Sequence, residues 1–327
     1  MKAVYIKEFG DPDVLEIRDV PEPDTPPGTQ VLIRVHAAGL NRADLLQTAG
    51  HYPPPPGYDP KRPGMEFAGE VVSVGDLVTE WETGDRVFGI TAGEAQSEMV
   101  VADNSVLARV PENLSFTEAA GVPEVFITAQ DAIFTRGSLT KGETLLIHAV
   151  GSGVGLAALQ IAKAAGTKVI GTSRTADKLD RCLEFGLDHA VVTTGSDFAE
   201  KVAEATDKKG ADVILDLVGG AYFEQNLQSL ALKGRMILVG LTSGREANFN
   251  LGLALQKRAQ IIGTVLRGRS TEEKGLATAE FAAGVLPLLA SGAVKPNIDR
   301  VFKANDVVEA YKYLASNESF GKVILEF

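Results

Sequence analysis

A glycine-rich turn at residues 148–160 reads HAVGSGVGLAALQ, and its residue types could bind phosphate. Glycine allows a chain to leave a strand sharply and to approach a pyrophosphate closely, and a following helix offers free N–H groups to the phosphates. Leu156 takes the place of the third glycine in the usual G-x-G-x-x-G pattern. We still predict a dinucleotide site here. Its candidate contacts are Gly151, Ser152, Gly153, Val154 and Gly155.

The elements around this turn are those that a dinucleotide site needs. A buried strand, TLLIHAV, precedes the turn and a helical stretch, VGLAALQIAKAAG, follows it. Further strands read KVIGTS, HAVVT, DVILDLVG, RMILVG and QIIGTVL, with helical stretches between several of them. Strands and helices that alternate in this way predict a doubly wound parallel sheet, the Rossmann arrangement. The alternative is a glycine-rich turn in such a sheet that binds nothing.

The end of the second strand of this sheet indicates which dinucleotide binds. NAD-binding folds place an acid there for the ribose 2′-hydroxyl, whereas this strand ends GTSRTADK and has no acid before Asp177. Ser173, Arg174 and Lys178 offer a hydroxyl and two cations, which suit a 2′-phosphate. The sequence therefore favours NADPH over NADH. The alternative is that the two cations are only solvated residues at a helix start.

The sequence pattern predicts two domains. Residues 1–122 contain short apolar runs broken by Gly, Pro and Asp, which are typical of a mostly β unit. Residues 123–267 carry the alternating strands and helices, and residues 268–327 read as strand, helix and strand. We expect 1–122 and 268–327 to form one β-rich domain and 123–267 to form the nucleotide-binding domain. The last strand could rejoin the N-terminal unit, which would make the nucleotide-binding domain an insertion.

Composition narrows the class of protein. The 327 residues are 45% hydrophobic and carry a formal charge of −11, which argues against nucleic acid or an anionic membrane as the main partner. The single cysteine, Cys182, rules out an internal disulfide and a zinc site built on several cysteines. The start, MKAVYIKEFG, has no apolar stretch of signal-peptide length, and no run approaches the ~20 apolar residues of a membrane span. We expect a cytoplasmic protein.

Two N-terminal stretches resemble the metal-binding segments of zinc alcohol dehydrogenases but lack the ligands. Asn41, in AAGLNRADLLQTAGHYPPPPG, stands where those enzymes have Cys, and Met65, in RPGMEFAGEV, stands where they have His. Neither an amide nor a thioether is a normal zinc ligand, so we expect no metal. Together with GVPEVFITA, LIHAVGSGVGLAALQIAK and LRGRS, these stretches resemble the zinc-independent, zeta-crystallin-like quinone oxidoreductases of the medium-chain dehydrogenase/reductase superfamily.

The resemblance covers nearly the whole chain and implies a fold and a reaction. The fold would be α/β, a GroES-like β-rich domain plus a doubly wound parallel-sheet (Rossmann) domain. The reaction would be direct hydride transfer from the nicotinamide of NADPH to a quinone, which the protein assists by positioning the acceptor and stabilising charge on an oxygen. A homodimer, joined by edge-to-edge pairing of the nucleotide-binding sheets, would also follow.

Asn41 and Tyr52 are the catalytic candidates that the resemblance implies. The amide of Asn41 and the phenol of Tyr52, beside the stiff proline run 53–56, can both donate hydrogen bonds. The alternative for Asn41 is helix capping alone, since Asp44 three residues on completes a capping-box pattern. The alternative for Tyr52 is a partly buried turn residue.

The resemblance also implies further cofactor contacts. Thr128 would meet the pyrophosphate or nicotinamide, the segment after the fifth strand would border the dinucleotide, and LRGR would run beside the nicotinamide carboxamide. Lys322 would contact the adenosine phosphate. Besides the residues of the turn and the second strand end, the candidates are Asn41, Thr128, Gly240, Leu241, Thr242, Ser243, Leu266, Arg267 and Lys322.

Two other functions stay open on the sequence alone. One is an NADPH-dependent reductase of the same superfamily that acts on the double bond of an enone or enoyl thioester. The other is an NADPH-binding sensor or regulatory protein, which would bind the cofactor without oxidising it.

Overall fold

The chain runs through one folded unit, into a second, and back to the first. The computed structural model describes residues 1–195 and 197–327. Unit 1 comprises Met1–Ile127 and Leu266–Phe327, and unit 2 comprises Thr128–Val265. Leu266 and Arg267, which the sequence pattern placed at the end of the nucleotide-binding domain, are thus part of unit 1. None of the helices in the described ranges combines the length and the apolar composition that a membrane-spanning segment needs.

The helices and strands follow one another along three segments of the chain. The first segment contains β1 (Lys2–Ile6), β2 (Leu15–Asp19), β3 (Gln30–Leu40), α1 (Arg42–Thr48), β4 (Glu66–Val74), β5 (Arg86–Ile90), β6 (Met99–Asp103), β7 (Leu107–Arg109), α2 (Phe116–Ala119) and α3 (Pro123–Gln130). The middle segment contains β8 (Thr144–Ile147), α4 (Gly153–Ala164), β9 (Lys168–Ser173), α5 (Ala176–Leu183), β10 (His189–Val192), α6 (Ala199–Ala205), β11 (Ala211–Asp216), α7 (Phe223–Ser229), β12 (Leu230–Leu238), α8 (Leu251–Lys257) and β13 (Gln260–Gly263). The last contains α9 (Thr271–Gly284), α10 (Leu286–Ala290), β14 (Ile298–Lys303), α11 (Val307–Ser316) and β15 (Lys322–Glu326).

Unit 1 is built on a mostly antiparallel sheet in the order β14-β15-β3-β4-β5-β7, with β6 also pairing with β3. The last strand, β15, lies antiparallel to β3, with Val323 opposite Leu40. Residues far apart in the sequence therefore meet at the end of β3. An apolar cluster, which includes Leu40 and the fully buried Tyr311 of α11, packs α11 against β15 and the β1–β2 hairpin.

Unit 2 is a six-stranded parallel sheet in the part of the chain that the structure describes, in the order β10-β9-β8-β11-β12-β13. Counted from the first strand of the unit, this order is 3-2-1-4-5-6, the doubly wound nucleotide-binding arrangement. Parallel strands need helical crossovers that cover both faces, which explains why the central strands β8 and β11 are almost completely buried. The predicted fold class, a GroES-like unit and a Rossmann unit, is confirmed.

The glycine-rich turn joins β8 to α4 and depends on close backbone contact. Ala149 adopts a left-handed conformation with φ 49°, which turns the chain out of the strand. A Cβ on Gly155 would lie 2.6 Å from the carbonyl oxygens of Ala149 and Val150. Only glycine therefore allows the first turn of α4 to pack against the turn before it. The turn therefore requires glycine at position 155, which the G-x-G-x-x-G pattern alone does not indicate.

We expect Gly155→Ala to destabilise unit 2, because the added methyl must push apart two backbone segments at a cost of about 1–3 kcal/mol. The measurement is thermal unfolding followed by circular dichroism. Gly252→Ala is the control, since a Cβ there would meet only Asn250 Oδ1 at 3.5 Å. Equal stability of Gly155→Ala and the native protein would contradict the tight packing of the turn.

Candidate active site

A buried carboxylate at the start of β4 organises the polar residues of unit 1. Glu66 has no exposed surface, and Gly39 on the neighbouring strand β3 makes room for it. A Cβ on Gly39 would lie 2.4 Å from Glu66 Oε1. An isolated charge in such a place is costly, so a buried carboxylate needs a cation and hydrogen bonds.

Lys322, the first residue of β15, supplies that cation. Its Nζ donates to Glu66 Oε1 at 2.6 Å, to the Leu40 carbonyl at 2.7 Å and to Asn41 Oδ1 at 2.8 Å. An ammonium has three N–H donors, so each one has an acceptor within unit 1. The sequence assignment of Lys322 to the adenosine phosphate is therefore corrected: the side chain is 3% exposed and has no donor left for a phosphate.

This ion pair fixes the orientation of the Asn41 amide. Asn41 Oδ1 accepts from Lys322, and Asn41 Nδ2 donates to Glu66 Oε1 at 2.8 Å. The other N–H of Nδ2 has no partner among the residues that the structure describes, and Asn41 is only half-buried. One amide N–H is thus free to bind a ligand oxygen.

Asn41 is also the N-cap of α1, as the capping alternative predicted. Asp44 Oδ2 accepts from the Asn41 backbone N–H at 2.8 Å. Asp44 is fully buried, and burial raises the pKa of its carboxyl to about 6. The helix cap uses the backbone of Asn41 and the ion pair uses its side chain, so the two roles coexist.

Arg267 contacts both the backbone and the ring of Tyr52. The guanidinium donates to the Tyr52 carbonyl at 3.0 Å, to the Ala92 carbonyl at 2.7 Å and to Gln47 Oε1. Its central carbon lies 5.1 Å from the centroid of the Tyr52 ring. Arg267 is 4% exposed and fastens the proline-rich loop to α1 and to the residues after β5. Its predicted contact with the nicotinamide carboxamide stays a prediction.

The phenol of Tyr52 is a neutral donor at ordinary pH. The side chain is half-buried, and burial raises its pKa against the lowering effect of Arg267, with a smaller increase from Glu124. Its hydroxyl has no hydrogen-bond partner in the described part of the chain. The structure thus leaves this donor, like the second N–H of Asn41, available to a ligand.

Glu124 is a further acidic residue, and its charge acts on the Tyr52 phenol. It is the second residue of α3, and its backbone N–H donates to Glu66 Oε2 at 2.8 Å. Burial is the main cause that raises the pKa of its carboxyl to about 8, and the negative charge of Glu66 adds to it. At neutral pH this carboxyl group is mostly protonated.

Unit 2 presents the other candidate residues, beginning with the turn before α4. Ser152 is the N-cap of this helix, and its hydroxyl accepts from Gly155 N at 3.2 Å. The first amides of a helix have no acceptor within it, so Gly153 N and Val154 N point out of the helix end as donors. Such donors and the helix dipole favour a bound phosphate.

A buried chain of hydrogen bonds holds the strand ends around this turn. His148 Nδ1 lies 2.8 Å from Thr172 Oγ1 and Nε2 lies 2.5 Å from Asn226 Oδ1. Asn226 Nδ2 donates to Asp216 Oδ2 at 2.9 Å, and the other oxygen of Asp216 accepts from the amides of the following loop. Burial lowers the pKa of His148 to about 4, so the ring is a neutral structural link.

The segment Gly240–Ser243 packs onto the loop after β11. A Cβ on Gly240 would lie 2.6 Å from the Leu217 carbonyl oxygen. Ser243 Oγ donates to the Val218 carbonyl at 2.9 Å and accepts from Ala221 N at 3.0 Å. Thr242 and Leu241 are exposed. Both loops follow the carboxyl ends of neighbouring parallel strands, the edge where ligands bind in such sheets.

The end of β9 carries the predicted 2′-phosphate residues. Ser173 is the last residue of the strand, Arg174 follows it and is exposed, and Lys178 lies in the first turn of α5. The structure thus brings the turn, Ser173 and Gly240–Ser243 to the same edge of the sheet. Thr128 is the first residue of unit 2, and Leu266 is a buried residue of unit 1.

Sequence reasoning missed Glu66, Glu124 and Asp216. The available signal was a lone acid inside or beside an apolar run, as in GMEFAGEV, GVPEVFITA and DVILDLVG. A charge in such a position needs a partner, and the pattern does not show which residue supplies it.

Comparison with known proteins agrees with this architecture. Residues 27–133 match the alcohol dehydrogenase GroES-like domain, and residues 153–282 match the zinc-binding dehydrogenase domain. The human quinone oxidoreductase is 32% identical over 99% of this chain and 97% of its own length. A quinone oxidoreductase of Pseudomonas aeruginosa is 34% identical over 99% of both chains.

Solved structures resemble the whole chain. An NAD-dependent alcohol dehydrogenase has a TM-score of 0.89 and 30% identity, with both chains covered to 100%. The mycobacterial protein Rv1454c, solved with NADPH, has a TM-score of 0.88 and 29% identity, with both chains again covered to 100%. The CurK enoyl reductase has a TM-score of 0.87 and 26% identity, over 99% of this chain and 98% of its own.

These matches extend over nearly the full length of the chain and of its relatives. Likeness of fold alone would leave the branch open, but the identity to quinone oxidoreductases is spread over the whole sequence. The chain is an oxidoreductase that belongs to the quinone oxidoreductase branch of the medium-chain dehydrogenase/reductase superfamily.

Proposed function

We propose that this protein is a zinc-independent NADPH:quinone oxidoreductase. The observation that carries the proposal is the fixed Asn41 amide, whose free N–H is held in place by the buried pair of Glu66 and Lys322. A preorganised donor of this kind stabilises charge that develops on an acceptor oxygen. The quinone oxidoreductase relatives support a quinone as that acceptor.

The residues of unit 1 do not fit a zinc ion. Asn41 and Met65 occupy the positions of two ligands, and Met65 is buried. The ammonium of Lys322 lies 2.8 Å from Asn41 Oδ1 and 2.6 Å from Glu66 Oε1. A divalent cation here would meet the positive charge of Lys322, which already pairs with the Glu66 carboxylate, and would find an amide and a thioether where a zinc site has thiolate and imidazole ligands.

The residues of unit 2 fit a dinucleotide. Gly153 N and Val154 N would bind the pyrophosphate, and Gly240–Ser243 would border it. Ser173, Arg174 and Lys178 would bind a 2′-phosphate, which favours NADPH. When bound, the reduced nicotinamide supplies a hydride. Asn41 and Tyr52 would bind the acceptor oxygens through their free N–H and O–H groups, and Arg267 would keep the Tyr52 loop in place.

A second candidate is an enone or enoyl-thioester reductase. The likeness to the CurK enoyl reductase supports it, and the same donors could stabilise the oxygen of an unsaturated carbonyl. A sensor that binds NADPH without turnover is the remaining alternative, and a turnover assay with several acceptors distinguishes all three.

We also propose a homodimer that forms through unit 2. Strand β13 lies at one edge of the parallel sheet, and exposed apolar residues lie on this strand, on α8 before it and directly after it. Exposed strand edges and apolar patches are commonly covered by a second chain. The exposed residues are Leu251, Leu255, Ile261 and Val265.

The test of the function is loss of reduced-cofactor absorbance with NADPH or NADH and an ortho-quinone, a para-quinone, an enone or an enoyl thioester, with a chelator present. We expect chelator-resistant oxidation of NADPH by a quinone. Turnover of only the enone or thioester would transfer the assignment to the second candidate. Binding of NADPH without oxidation by any acceptor would support the sensor.

The double variant Arg174→Ala/Lys178→Ala should raise the Kd of NADPH by about 10- to 100-fold, because it removes charged partners of the 2′-phosphate. The Kd of NADH should stay unchanged. Titration calorimetry measures both, with Lys168→Ala, an exposed lysine at the other end of β9, as the control. Equal loss of affinity for both cofactors would refute the 2′-phosphate site.

Lys322→Met should destabilise the protein by about 3–5 kcal/mol, because it leaves the Glu66 carboxylate buried without a cation. Adding Glu66→Gln should restore much of the loss. The control is Lys303→Met, which breaks the exposed pair of Lys303 and Glu326 and should cost less than about 1 kcal/mol. Denaturant unfolding compares the variants. Equal costs for Lys322→Met and Lys303→Met would show that the buried pair has no special weight.

A further inference from the structure

Glu124 is a titratable side chain that the proposed reaction has not yet used. Its backbone is fixed, since its N–H donates to Glu66 Oε2 at 2.8 Å while Asn41 Nδ2 donates to Oε1 of the same carboxylate. The two oxygens of Glu66 therefore hold the Asn41 amide and the first turn of α3 side by side. The carboxyl group of Glu124 itself has no hydrogen-bond partner within residues 1–195 and 197–327, and the residue is half-buried.

The groups around this carboxyl explain why it holds a proton. Burial raises the pKa of the Glu124 carboxyl most strongly, and the charge interaction with the neighbouring Glu66 raises it further. Glu66 has the ammonium of Lys322 as its direct partner, whereas no described cation lies in hydrogen-bond contact with the Glu124 carboxyl. The titratable groups that act on Glu124 or respond to it are Asp44, Tyr52, Glu66, Arg267, Lys274 and Lys322.

We propose that Glu124 is the proton donor of the reaction and gives its acid proton to the acceptor oxygen that Asn41 orients. This proposal rests on the proposed function. Reduction of a quinone to a hydroquinone anion adds one hydride, which brings both electrons from the reduced nicotinamide, and a proton then completes the hydroxyl group. The O–H bond of the Glu124 acid breaks as an O–H bond forms on the acceptor. The carboxylate then regains a proton from water, which reaches a half-buried side chain.

The first experiment compares the pH dependence of turnover in the native protein and in Glu124→Gln. The native kcat should fall as the pH rises through about 8, because the acid must be protonated to donate. Glu124→Gln should lower kcat at pH 7 by about 100-fold or more, remove that fall and leave the Kd of NADPH unchanged. Glu112→Gln, at an exposed glutamate, is the control. Native-like turnover of Glu124→Gln would overturn the proposal.

A second acceptor separates proton donation from a structural role. A quinone with electron-withdrawing chlorine substituents forms a stable reduced anion and needs no proton in the step. Its reduction should be nearly insensitive to Glu124→Gln, while the unsubstituted quinone is slowed. Equal slowing of both quinones would overturn the proposal and leave the proposed function intact. Failure of the native protein to reduce either quinone would overturn both.

Unfolding provides a readout that does not require turnover. The pKa of Glu124 is raised from 4.5 to about 8 in the folded protein. The free energy of unfolding therefore falls as the pH rises between these two values and levels off above about 8. The Tm of Glu124→Gln should therefore rise relative to the native protein between pH 6 and pH 9, and that of Glu112→Gln should not. A constant Tm difference for Glu124→Gln would contradict the required proton on Glu124.

Discussion

The buried ion pair between Glu66 and Lys322 is the interaction on which the polar residues of unit 1 depend. Both side chains are almost completely buried, and the pair is joined by a hydrogen bond of 2.6 Å. Glu66 would be costly without the ammonium, and the ammonium would be costly without its three acceptors. The pair in turn sets which way the Asn41 amide points and where α3 begins. An internal cation thus lies in direct contact with both Asn41 and Glu66.

In unit 2, a buried chain of hydrogen bonds rather than an ion pair positions the candidate site residues. The chain Thr172–His148–Asn226–Asp216 links the ends of β8, β9 and β11 through hydrogen bonds that run in one direction. Because Asn226 donates to Asp216, its oxygen must accept from His148, which fixes the neutral tautomer with the proton on Nε2. A fully satisfied buried network of this kind makes the loops around it rigid. The turn that would bind the pyrophosphate begins at His148, and the loop that packs against Gly240 begins at Asp216, so both begin at residues of this network.

Local patterns in the sequence were sufficient for the fold and for part of the site. The alternation of apolar strands and helices predicted the Rossmann sheet, and the spacing of Asn41 and Asp44 predicted the helix cap. Patterns did not reveal partners distant in the chain. Lys322 lies 256 residues from Glu66, and Arg267 lies 220 residues from Gln47. The resemblance implies a phosphate contact for Lys322. The sequence predicts that the last strand can rejoin the N-terminal unit, but it does not show that Lys322 then meets Glu66. The protonation of Glu124 likewise depends on burial and on a neighbouring carboxylate, which only the folded chain brings together.

The most direct test of the central claim is a single-turnover measurement on metal-depleted protein with NADPH deuterated at C4 and a quinone. Mass spectrometry of the same sample would give its zinc content. The proposed reaction predicts full activity without zinc and no change when zinc is added. It also predicts that deuteride is transferred more slowly than hydride. Activity proportional to the zinc content would contradict the zinc-independent reaction, because the site would then need a metal ion in addition to the Lys322 ammonium.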